Sequence, residues 1–92
     1  MSAVVLGNRV FYRGIPRRYR QIMILGPLEP ADGQCEVRIF EGSVLKTAPF
    51  DADNDLAELY CHSTRADADA DATAACDEAV QQGWIELSNS SR

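Results

Sequence analysis

The chain has 92 residues, 46% of them apolar and 25% charged, which is enough for one core, too little for two, and too apolar for a disordered chain. The net charge of −5 is unevenly divided: residues 1–46 carry seven basic and four acidic side chains, a balance of +3, and residues 47–92 carry two and ten, a balance of −8. Such a split marks either a charged binding surface or two halves that attract each other once folded.

Residues 3–13 hold Val4, Val5, Leu6, Val10, Phe11 and Tyr12, which is strand material in one or two pieces, with Gly7 and Asn8 marking a bulge or a tight turn. Gly14, Ile15, Pro16, Arg17 and Arg18 follow as a turn, with Pro16 expected at its first central position and the arginines pointing to solvent. Residues 19–25 are the clearest strand, dense in Tyr, Ile, Met and Leu and stopped by Gly26, Pro27 and Pro30. A loop closing on Asp32 and Gly33 leads to a third strand over residues 34–40, and Glu41 and Gly42 then read as the two-residue turn of a hairpin into residues 43–47. Asp51, Asp53, Asn54 and Asp55 form a polar loop. Residues 56–62 fit a strand better than a short helix opened by Asp55 and Glu58.

The helix is expected over residues 67–82, because Ala72, Ala75, Cys76, Ala79 and Val80 recur on one face. Asp67, Asp69 and Asp71 crowd its start, where carboxylates meet unpaired amides, and Gly83 suits the position just past its end. Residues 84–87 return as a short strand or arm, and residues 88–92 read as a disordered tail beyond a single domain of residues 1–87. The expected fold is α+β, a four- to five-stranded, mainly antiparallel sheet with one C-terminal helix packed on one face.

Little in the sequence points to catalysis. Cys61 and His62 are adjacent, but neighbours on a strand face opposite ways, so a buried structural cysteine beside a surface histidine is expected. Cys35, Cys61, Cys76 and His62 lack the paired spacing of zinc ligands. Asp67, Asp69, Asp71 and Glu78 match calcium-loop positions, but Ala72 stands where glycine is required. The six glycines are scattered singly and cradle no phosphate, so no metal, no cofactor and no enzymatic activity are expected. An odd cysteine count, no signal-peptide pattern and no apolar run of about 20 residues lead to the expectation of a cytoplasmic protein outside the membrane.

Two surfaces remain as candidates. Arg13, Arg17, Arg18 and Arg20, flanked by Tyr12 and Tyr19, form an arginine-rich turn suited to nucleic acid or another polyanion, or else to pairing with the acidic half of the chain. Ile22, Met23, Ile24 and Leu25 are apolar on both faces of their strand, so a homodimer interface is expected there, with partial closure of the sheet into a barrel as the alternative. The resulting expectation is a small non-enzymatic interaction or adaptor domain that self-associates, with polyanion binding as the alternative.

Overall fold

The structure, a computed structural model, describes residues 4–27, 33–44 and 56–87. It contains β1 (Val4–Arg13), β2 (Arg18–Gly26), β3 (Cys35–Gly42), β4 (Leu56–His62), α1 (Arg65–Gln81) and β5 (Ile85–Glu86). The strands form one antiparallel sheet in the order β4-β3-β2-β1-β5, with α1 against one face, so the α+β architecture is as expected. The order is linear, with β4 at one edge and the two residues of β5 at the other.

Alternation along the strands sorts the core. Phe11, Ile22, Ile24, Cys35, Val37 and Ile39 face the helix and pack with Ala68, Ala72, Cys76, Ala79 and Trp84. The helix's contribution is a stripe of small residues, which lets its backbone lie close to the sheet. That stripe starts at Ala68, while Val80, expected on it, is 55% exposed. Leu6 is an extra residue where β1 shifts register between Val5 and Gly7, so the expected irregularity near Gly7 is a bulge within one continuous strand.

The helix begins two residues earlier than the aspartates suggest. Thr64 is the cap, its hydroxyl accepting from the Asp67 amide at 3.2 Å, and Asp67 alone of the three aspartates lies in the first turn. At the other end the Trp84 amide donates to the Ala79 carbonyl and the Gly83 amide to the Val80 carbonyl, both at 3.0 Å. This is a Schellman ending, with Gly83 at φ 94° as the left-handed residue it requires.

Two further expectations change. Glu41 and Gly42 are not a turn: they continue β3, opposite Arg20 and Tyr19 of β2. Gly42 is buried there, so a dipeptide with turn chemistry has been drafted into the ladder. Ile22, Met23, Ile24 and Leu25 are each 8% exposed or less in the single chain. Ile22 and Ile24 lie under the helix, and Met23 and Leu25 are buried on the other face with Phe40 and Leu56, so the premise of a dimer interface at these residues, an uncovered apolar face, does not hold. The expected strand over residues 43–47, the acidic loop 51–55 and the tail 88–92 lie wholly or largely outside the described residues.

Candidate functional site

The β1–β2 ladder runs out to the pair Arg13 and Arg18, leaving residues 14–17 as the turn. Gly14 takes φ 89° and the Ile15–Pro16 bond is cis. The central residues of the four-residue turn are Ile15 and Pro16, so Pro16 stands at its second central position and not the first. Ile15 at its tip is fully exposed, at 101%.

The four arginines of this region divide by what they touch. Arg13 donates from Nη1 to the Gln82 carbonyl at 2.6 Å and lies 4.4 Å from the centre of the Trp84 ring. It thus supplies a cation at the negative end of a helix that has no basic residue in its own last turn. Arg20 is turned under the sheet's helix-side face, with Nη1 2.7 Å from Glu41 Oε1 and Nη2 3.5 Å from Glu58 Oε2. Glu58 also accepts from the Tyr60 hydroxyl, which raises the Tyr60 pKa. Arg17 stacks over Tyr12, its Cζ 4.2 Å from the ring centre, and no carboxylate of the described residues pairs with Arg17 or Arg18. Tyr12 and Tyr19 are cross-strand partners, each half-buried. Of the six residues expected to form a polyanion site, only Arg17 and Arg18 remain as open charges.

Beside this hairpin the sheet and helix leave a hollow. It has a volume of about 340 Å³ and is lined by Gly7, Asn8 and Arg9 of β1, Ile22 and Ile24 of β2, and Asp69, Ala72 and Thr73 of α1. Its floor is apolar because Ile22, Ile24 and Ala72 face each other there. Its space comes from small residues, Gly7 on the strand and Ala72 on the helix. β5 pairs with β1 only at Phe11 and Tyr12, and Leu87 adds one bond to the Val10 carbonyl, so the edge of β1 from Val4 to Arg9 carries no strand among the described residues.

Arg9 at the rim of the hollow is held by Glu86 through two bonds, Nε to Oε2 at 2.8 Å and Nη2 to Oε1 at 2.7 Å. That bond holds the Glu86 carboxyl below the usual carboxylate range and raises the Arg9 guanidinium further. Asp69, Thr73 and Asp77 stand four residues apart on one stripe of α1, and Asp77 acts on Arg9 through its charge. Arg65 reaches Asp69 at only 3.9 Å. Arg9 and Asp69 are the charged residues of the lining itself, and with Glu86, Arg65 and Asp77 around them the five groups carry a net charge of −1. Nothing in the sequence announced this groove, because it is made where a strand and a helix fail to fill the space between them.

Cys61 and His62 point to opposite faces, as alternation requires, with Cys61 opposite Glu36 and His62 opposite Cys35. His62 Nε2 lies 2.8 Å from Asp71 Oδ2. The expected exposure is reversed, however: Cys61 is the exposed thiol and His62 is half-buried, because β4 is an edge strand and its outward face is open. Cys35 and Cys76 are buried, and burial pushes the Cys76 thiol pKa up. Among the described residues no three Asp, Glu, His or Cys side chains gather as metal ligands, and no helix is long and apolar enough to cross a membrane. No family model matches the chain, and comparison with curated proteins and with solved structures gave no match.

Proposed function

We propose that this chain is a small non-enzymatic interaction domain that works in a reducing, cytoplasmic setting and self-associates, with a homodimer as its smallest assembly. The observation that carries this reading is the hairpin tip. A wholly exposed isoleucine stands beside two arginines that no carboxylate of the described residues pairs with, on a chain whose other basic strand residues are already paired or packed. A lone exposed apolar side chain is ordinary on a protein surface; what supports reading this turn as a docking element is its place at a hairpin apex beside two such arginines. The adjacent edge of β1 and the groove beneath it offer a second surface of opposite character. Measuring the mass in solution by light scattering over a range of concentrations tests the reading. Self-association gives a mass that climbs above the single-chain 10.1 kDa as concentration rises. A mass fixed at that value throughout contradicts it.

Binding to nucleic acid or another polyanion is the second reading, favoured by Arg17 and Arg18 alone. Two phosphate contacts give a log-log salt slope of about −1.4 to −1.8, half of what all four arginines would give. Adding a panel of nucleic acids to the same scattering measurement separates the two readings. Binding that survives replacement of Arg17 and Arg18 with Ala, or no binding to any member, removes this one.

A further inference from the structure

A turn that presents Ile15 with two arginines is matched by a surface with an apolar hollow and a rim of net negative charge. The same chain carries that surface. We propose that the turn of one copy docks in the β1–α1 groove of the next, with Ile15 anchored over Ile22, Ile24 and Ala72, and Arg17 and Arg18 against Asp69 and Asp77. The inference rests on the self-association proposed above and names its two contact surfaces.

Size, access and charge agree. An isoleucine side chain fits within a hollow of about 340 Å³. Gly7 keeps the hollow open: a Cβ there would touch Ile24 Cδ1 at 3.5 Å, so a larger residue would fill the space the anchor needs. Among the described residues no strand lies along the outer edge of β1 at Gly7, Asn8 and Arg9, so the tip can enter from the sheet's edge. The lining offers Asp69, with Asp77 about two turns further along α1, to two arginines that pair with no carboxylate among the described residues. The uneven division of charge along the sequence then has a use between copies as well as within one. Arg9 with Glu86 and Arg20 with Glu58 join the two halves within one chain, and Arg17 and Arg18, which pair with no carboxylate among the described residues, are left for a neighbour. Because tip and groove are different surfaces, each contact leaves a free tip at one end and a free groove at the other, and the assembly grows head to tail.

Sedimentation velocity at low salt tests this with three single variants. Ile15→Asp blocks the tip, where no packing is lost. Gly7→Val fills the groove at a strand position whose φ any residue adopts. Asp69→Lys reverses the rim on an exposed helix position and serves should the valine disturb the neighbouring bulge. The wild type is expected to grow past two copies as concentration rises, and each variant alone to associate at least tenfold more weakly. An equimolar mixture of Ile15→Asp with either groove variant keeps one intact tip and one intact groove, so it forms a complex of two chains and nothing larger. Variants that associate as the wild type does, or a mixture that stays at the single-chain mass, overturn the inference. A wild type that remains a single chain at every concentration overturns the self-association itself.

Discussion

At Gly26 the absence of a side chain is a packing requirement. A Cβ there would lie 2.7 Å from the Cys35 sulfur and 3.3 Å from the Gln34 carbonyl oxygen, in a buried stretch of β2 where neither can retreat far. Gly26→Ala is therefore expected to cost about 1–3 kcal/mol, the usual range for overpacking. In a Cys35→Ala background the same change meets only Leu6 Cδ1 at 3.2 Å and the backbone oxygen and costs less, so urea melts of the four proteins should show coupling; equal costs in the two backgrounds would contradict this packing. From the sequence Gly26 reads only as a strand terminator, since the sulfur that forbids a side chain comes from the neighbouring strand. Exposure of single residues is illegible for the same reason. Nothing in the order of residues says that Ile15 has no cover while Ile22 has all of it, or that Cys61 is open while Cys35 and Cys76 are closed. A thiol reagent such as Ellman's is expected to titrate one cysteine quickly in the native protein and the other two only on unfolding, with Cys61→Ser removing the fast phase. Two fast thiols would place one of the buried pair wrongly.

The ion pair of Arg9 with Glu86 also belongs to this scale. Its carboxyl is held below the unfolded value by the arginine's hydrogen bonds, so what the pair adds to stability is complete above the ordinary carboxylate range and fades as pH falls through the folded value. Both side chains are more than a third exposed, so screening keeps that contribution to about 0.5 kcal/mol or less. A carbon-detected titration of Glu86 should show its midpoint rise toward the ordinary value in Arg9→Gln. An unchanged midpoint would mean the pair is not formed in solution.

For whole elements, the helix was the most legible part, since its small-residue face and its closing glycine are both local signals. Gly83 sits at φ 94° with nothing near its missing Cβ, so Gly83→Ala probes the backbone alone. It should cost about 1 kcal/mol, the penalty for a side chain in the left-handed region, measurable in a urea melt; no change would mean the Schellman ending is not held. Alternating aspartates look like a first turn and point to a start two residues late, whereas Thr64 supplies the capping hydroxyl. Glu41 and Gly42 have turn chemistry and point to a shorter β3, but Arg20 and Tyr19 pair them across the ladder. Tertiary pairing outweighs local preference in both cases. The double apolar face of β2 was legible as a pattern, but whether chain or partner covers it is not a property of the pattern.

For the molecule as a whole, the proposed contact is weak by construction. Burying Ile15 contributes about 1.5–3 kcal/mol, and each exposed ion pair at most about 1. Against an association cost of roughly 4 kcal/mol or more, these three contacts alone net at most about 1 kcal/mol, short of the about 4 kcal/mol of a millimolar dissociation constant, so association rests on the whole apposed surface and weakens with salt. The measurement that bears most directly on self-association through tip and groove is therefore an amide chemical-shift map of the wild type on dilution, from about 1 mM to about 20 µM at low salt. Shifts are expected to move together at Gly14, Ile15, Arg17 and Arg18 and at Gly7, Arg9, Asp69, Thr73 and Asp77, with the rest of the sheet still. Shifts that do not move on dilution, or that move only away from these two surfaces, would contradict it.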